Sequence, residues 1–219
     1  IKRSDYQRLI QAAQNPSKAQ VDTLLSIVQA NRNTHFGRSH NFAAIDDCSS
    51  FMRNVPVHTY EHLRSQIHAQ GQSREPVLTA AMPVMYNQTS GTTGKPKYIP
   101  VLQQNLDALK RSQHIFSYMQ YRARPEAFDG KLLGLVSPAI DGYLENGIPY
   151  GSASGHIYKT MPKIARAKYV LPIEVFEITD YDSKYYIIAL LSLAEENITY
   201  FGTANPSTCL LYTSDAADE

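Results

Sequence analysis

The sequence predicts an α/β fold with mainly parallel strands, flanking helices and a helical amino-terminal layer. Three observations carry this. Apolar positions recur at steps near 3.6 residues in several long stretches, short apolar runs lie between them, and strand, helix and strand patterns recur along the chain. With 219 residues, 43% of them hydrophobic, the chain can build a sizeable core and does not have a disordered composition.

The elements follow in order. Val21, Leu24, Leu25 and Val28 fall at helical spacing behind the breaker Asn15-Pro16, so the chain opens on two short amphipathic helices. Val55-Pro56-Val57 and Thr59-Tyr60-Glu61 mark a turn into a polar helix that ends near Gly71. From Pro76 to Tyr86 the composition turns apolar, with Val77, Leu78, Met82, Val84 and Met85 compatible with a buried strand. A loop rich in glycine and threonine follows. Leu102, Leu106, Leu109, Phe116 and Met119 then mark one stripe of a long helix that must stop before Pro125. Lys131 to Val136 reads as the next buried strand. Asp182 or Ser183 caps a helix through about Glu196, Asn197 closes it, and Ile198 to Phe201 forms another short strand.

Charge is nearly balanced, with 21 basic and 20 acidic residues, so no overall field attracts nucleic acid or an anionic membrane and a small-molecule partner is expected. The longest strongly apolar run, Tyr185 to Ala194, is half the length of a bilayer span, and no leader-like stretch follows Ile1. A cytoplasmic protein is expected. Cys48 and Cys209 show neither a metal spacing nor a disulfide framework, and Cys48 is expected to be a buried thiol. His58 and His62 stand four apart without an acidic third ligand, so they read as surface residues and no metal ligand is assigned. Tyr181, Tyr185 and Tyr186 read as the edge of an amphipathic helix.

The chemistry is concentrated in Thr89-Ser90-Gly91-Thr92-Thr93-Gly94-Lys95-Pro96-Lys97, between a predicted strand and a predicted helix. Two glycines let a backbone approach phosphate closely, the hydroxyls add donors beside the amides, and two lysines supply positive charge. Such groups cradle a polyphosphate and offset the charge that builds on departing pyrophosphate. The Walker loop G-x-x-x-x-G-K-S/T is excluded, because Pro96 follows Lys95 and Thr89 stands where the first glycine belongs.

These nine residues resemble the phosphate-binding motif of the adenylate-forming superfamily, Ser/Thr-Ser-Gly-Ser/Thr-Thr-Gly-x-Pro-Lys, at every position. Tyr98 replaces the superfamily's usual next glycine, and Tyr98-Ile99-Pro100-Val101 points to one branch. Over residues 1–208 the chain resembles the acyl-acid amido synthetases, the auxin-responsive family of plants with bacterial relatives. Supporting stretches are Thr34-His35-Phe36-Gly37, Val55-Pro56-Val57 with Tyr60-Glu61, Gly147 to Gly151 through Ser154-Gly155, and Ile198-Thr199-Tyr200 before Asn205-Pro206-Ser207.

The resemblance implies an incomplete amino-terminal adenylation domain and a two-step reaction. A carboxylate attacks the α-phosphate of ATP to give acyl-AMP and pyrophosphate, and an amine or amino acid then displaces AMP. It implies that Thr89, Ser90, Gly91, Thr92, Thr93 and Gly94 bind phosphates and that Lys97 pairs with the outer ones; Lys95, at the variable position, receives no role. It implies Mg2+ as well, with its acidic ligand and a further catalytic lysine beyond residue 208, so that the fragment alone is inactive. Transfer to a thiol, giving a coenzyme A or protein thioester, stays open, as does a nucleotide-binding domain without turnover. Ser137, Tyr143, Gly151, Ser154 and Gly155 fall on expected post-strand loops and are candidates for the acyl pocket, although turn chemistry explains the same residues.

The last eleven residues, Cys209 to Glu219, resemble in frame the translation of a transposon sequencing adapter. They are expected to be non-native, with the gene continuing past Thr208.

Overall fold

A computed structural model describes residues 3–73, 75–89 and 96–203. The chain divides into two compact units, one comprising residues 1–115 and 142–150, the other residues 116–141 and 151–219.

The first unit begins with five helices, the expected amino-terminal layer: α1 (Arg3–Gln14), α2 (Pro16–Asn31), α3 (His35–Ser39), α4 (Cys48–Asn54) and α5 (Tyr60–Gln72). Their starts are written in the sequence. The Asn15 side chain accepts from the Lys18 amide at 3.1 Å with Pro16 in the first turn, and Thr34 accepts from the Gly37 amide at 2.8 Å. Asp47 with Ser50, and Thr59 with His62, form reciprocal caps on α4 and α5. Val28, Phe42 and Ile45 form the buried centre of this layer, with Leu24, Leu25, Phe36, Phe51 and Val55 around it. Cys48 sits at the start of α4 and is exposed, contrary to the buried thiol expected, because the buried position of that helix is Ser50.

The predicted strand at 76–86 is shorter and later than expected: β1 is Met85–Thr89. Ahead of it the backbone is held by the start of α3, where the His35 and Phe36 amides donate to the Pro76 and Val77 carbonyls at 3.0 and 2.9 Å, and by buried side-chain amides. Gln70, wholly buried, accepts from the Leu78 and Thr79 amides at 2.7 and 3.1 Å and donates to the Thr79 hydroxyl at 2.5 Å. Asn31 accepts from the Ala80 amide at 2.9 Å. Pro76 and Pro83 offer no amide for a ladder, and side-chain amides hold residues 78–80 in its place.

A strand follows the loop that the sequence placed directly before a helix. Thus β2 (Lys97–Val101) runs antiparallel to β1, with Met85 opposite Val101 and Thr89 opposite Lys97. The long helix α6 (Gln103–Ala123) begins after it and ends before Pro125, as its apolar stripe required. Met85, Val101 and Leu106 make a second buried cluster beneath the hairpin. Two further short strands, β4 (Gly142–Tyr143) and β5 (Pro149–Gly151), pair antiparallel and complete a sheet of order β2-β1-β5-β4.

In the second unit β3 (Lys131–Leu135) lies parallel to β6 (Ile198–Thr203), and Leu132 also bridges Tyr169 in parallel fashion. Between them come α7 (Ala153–Thr160), α8 (Lys163–Arg166), α9 (Ile173–Phe176) and α10 (Tyr181–Ala194). The core joins Leu133, Tyr158, Leu171, Val175, Phe176 and Ile188, with the Tyr158 hydroxyl donating to the Leu171 carbonyl at 2.5 Å. The cap of α10 is Asp180, which accepts from the Ser183 amide at 2.8 Å, two residues earlier than Asp182.

The α/β class therefore holds, but the strands are mixed in direction rather than mainly parallel. Loop length is the reason. Residues 90–96 and 144–148 are too short for a crossover and force hairpins, whereas β3 and β6 are separated by a run of helices that permits parallel pairing.

Candidate functional site

The hairpin β1–β2 positions the first set of predicted residues. Thr89 ends one strand, Lys97 opens the other, and the two are opposite each other in the ladder, so the chain between them leaves and returns at one point of the sheet margin. Ser90, Gly91, Thr92, Thr93 and Gly94, and Lys95 with them, lie outside the described residues. Thr89 is exposed and Lys97 half-buried.

The amino-terminal turn of α5 meets the base of this hairpin. The Tyr60 hydroxyl accepts from the Tyr98 amide at 2.9 Å and stands 3.4 Å from the Tyr98 carbonyl, so one phenol serves both outward backbone groups of an edge-strand residue. The Lys97 ammonium lies 5.6 Å from the centre of the Tyr60 ring, and the Arg64 guanidinium 4.7 Å from it. These are distances at which a cation is drawn to an aromatic face. Arg64 is held by Glu61 through two contacts of 2.7 and 2.8 Å and reaches the Pro96 carbonyl at 3.4 Å. The hydrogen bond to Glu61 holds the Arg64 guanidinium above its ordinary pKa. Tyr98 packs edge-on against Tyr150 at 5.2 Å, and burial followed by the neighbouring phenols raises its pKa.

Beneath the hairpin, burial pushes the Tyr86 phenol up to about 12, with Tyr60 adding to the shift. Its hydroxyl has no hydrogen-bond partner among the described residues. Among those residues no group of three His, Cys, Asp or Glu side chains could hold a metal ion. His58 and His62 belong instead to an aromatic row with Phe36 and His40, the ring centres 4.0 to 6.1 Å apart along it; His62 is exposed as expected, whereas His58 is half-buried against the other rings.

Four of the five pocket candidates come together in the second unit. Gly155 sits where a Cβ would collide with the backbone of Ser137 and Ala139, and a Cβ at Gly151 would collide with the Ala139 carbonyl. Both glycines are thus required by close packing of the 137–139 loop on the start of α7, without reference to any ligand. Ser152 caps α7 through the Gly155 amide at 3.2 Å and shares a 2.6 Å hydrogen bond with Ser154. Ser137 is exposed beside them. Tyr143 belongs to the first unit, in β4, and is 64% exposed.

Arg64 and the clamping role of Tyr60 were missed by sequence reasoning. The available signal was a tyrosine and an arginine four apart in the first turns of a capped helix, which shows a shared face but not what that face meets.

The fold is that of part of the solved acyl acid amido synthetases. Residues here superpose on the solved GH3.15 acyl acid amido synthetase with a TM-score of 0.80 at 22% identity, covering 97% of this chain and 38% of that one. A solved AtGH3.15 structure in complex with 2,4-DB gives the same score and identity, covering 95% and 37%. The chain belongs to the GH3 family: the GH3 family N-terminal domain matches residues 5–215. Curated relatives include the probable indole-3-acetic acid-amido synthetase GH3.1 of Arabidopsis thaliana, 32% identical over 108 residues, which are 48% of this chain and 18% of that protein. Another is the indole-3-acetic acid-amido synthetase GH3.15 of the same plant, 26% identical over 136 residues, or 61% and 23%. The chain thus spans less than a quarter of these two relatives.

Proposed function

We propose that the protein to which this chain contributes activates a carboxylic acid with ATP as an acyl-adenylate and transfers the acyl group to an amine or amino acid. The observation that carries the reading is the hairpin: a complete phosphate-binding motif whose two ends, Thr89 and Lys97, are held opposite one another. The names of the relatives, amido synthetases, favour an amine over a thiol as acceptor.

In this reading Ser90 to Gly94, together with Thr89, hold the phosphates of ATP through amides and hydroxyls. Lys97 places its ammonium against the outer phosphates, where negative charge grows as pyrophosphate leaves. A carboxylate is a poor electrophile, and adenylation gives it AMP as a leaving group. The bond formed is carboxylate oxygen to α-phosphorus, and the bond broken releases pyrophosphate. Mg2+ belongs to this reading as well: when bound it would neutralise phosphate charge, with its acidic ligand supplied from outside the described residues. Ser137 and Ser154 are proposed for the acyl pocket; Gly151 and Gly155 support it only by letting loop and helix approach. Residues 209–219 are proposed to be adapter-derived, leaving 1–208 as the native adenylation segment.

The test is acid-dependent exchange of pyrophosphate into ATP by the full-length enzyme, with Lys97→Ala expected to lower it roughly 100-fold. Exchange with hydroxamate formed from hydroxylamine but thioester formed from coenzyme A would move the acceptor to a thiol. Nucleotide binding without exchange across a broad panel of carboxylic acids would refute adenylation.

A further inference from the structure

We infer that Tyr60 is a positioning residue for Lys97, its ring fixing where the ammonium of the phosphate hairpin stands while its hydroxyl steadies the neighbouring backbone. The inference rests on the adenylation reading and adds a residue outside the nine-residue motif. A lysine carries a charge on a flexible four-carbon stem, so a lysine that must meet one phosphate needs something to limit where it goes. Two contacts to one side chain do this. The Tyr98 amide, one residue beyond Lys97, donates to the Tyr60 hydroxyl at 2.9 Å and fixes the backbone of β2. The Lys97 ammonium lies within 5.6 Å of the same ring and is drawn to its face.

Arg64 competes for that ring at 4.7 Å, but its charge is already committed to Glu61. It acts as a brace, tying α5 to the hairpin through the Pro96 carbonyl, the residue just before Lys97. Tyr60 is set in turn by its place in the first turn of α5, behind the Thr59 cap. A single helix start thereby governs the position of the cation at the open end of the hairpin.

A residue that acts through Lys97 gives a signature that a merely structural residue does not. In the full-length enzyme at saturating ATP, Tyr60→Leu is expected to lower pyrophosphate exchange about tenfold, within the range of a lost cation–aromatic contact. Combined with Lys97→Ala it is expected to add nothing, so that the double variant matches Lys97→Ala alone. Tyr60→Phe keeps the ring and is expected to stay within about threefold of the unaltered enzyme, which rescues the leucine variant and remains informative if that variant does not fold. Effects of Tyr60→Leu and Lys97→Ala that multiply would overturn the inference, as would a tenfold loss in Tyr60→Phe, which would place the role in the hydroxyl alone. Either result leaves adenylation standing. An unaltered enzyme without exchange overturns adenylation and this inference with it.

Discussion

Replacing Gln70 by alanine isolates what holds the chain just before the phosphate hairpin. Gln70 is wholly buried and makes three close bonds to residues 78 and 79, accepting from two amides and donating to one hydroxyl. Removing the side chain orphans the Leu78 and Thr79 amides in a part-buried place, at about 1–3 kcal/mol for each unpaired group, less whatever water can repair. A net loss of about 3 kcal/mol follows, which for a chain of this size is a fall of roughly 6–12 °C in Tm. The assay is thermal unfolding together with amide exchange read on a peptide spanning residues 76–82, in the unaltered and Gln70→Ala proteins. Faster exchange at Leu78 and Thr79, beyond the change at α10, is the local signature. A Tm within 2 °C of the parent and unchanged exchange at those amides would refute the view that the Gln70 amide replaces a strand partner.

Other outcomes follow from single features. Gly155→Ala must drive a methyl into the backbone of Ser137 and Ala139, and is expected to cost at least about 2 kcal/mol in denaturant unfolding, more than a helix alanine normally gains over glycine. Tyr86→Phe removes a buried hydroxyl without a hydrogen-bond partner among the described residues, so its Tm should be equal to or above that of the parent. The phenols of Tyr86 and Tyr158 are both raised from 10.0 to about 12, chiefly by burial. The folded state therefore binds more protons than the unfolded state between those values, so their contribution is complete below pH 10 and is lost as pH rises toward 12. Tyrosinate absorbance should show these two ionising only near or with alkaline unfolding. Cys48, exposed at the start of α4, should react with a thiol reagent in the folded protein without loss of helical signal.

The long elements were legible because their signals are long. The stripe from Leu102 to Met119 located α6 to within a few residues, yet Phe116 and Met119 are about half exposed, so period announces a helix without announcing what covers it. Residues β4 and β5 comprise, two and three long, are below the length at which alternation can be read, and β2 was hidden by Pro100 and by its closeness to the motif. The direction of pairing depended on loop lengths that only became visible once β2 was recognised. For the site, Lys97 was legible from the motif, whereas Tyr60 and Arg64 are ordinary helix residues until β2 is laid beside α5. The two glycines of the 151–155 segment were noticed for their type, but their cause, contact with the 137–139 backbone, is a tertiary fact.

Strand β2 lies at the margin of its sheet, where backbone groups would ordinarily be open to a strand from another molecule. Tyr98 turns its amide outward, and by alternation Pro100 presents the same side, where its ring nitrogen has no hydrogen to give. One outward position is thus stoppered by a phenol and the next has no hydrogen to donate. A foreign strand arriving there finds no free amide at either position to continue a ladder, so the rim that carries the hairpin can stay near water without inviting self-association, and a Pro100→Thr change should loosen that safeguard.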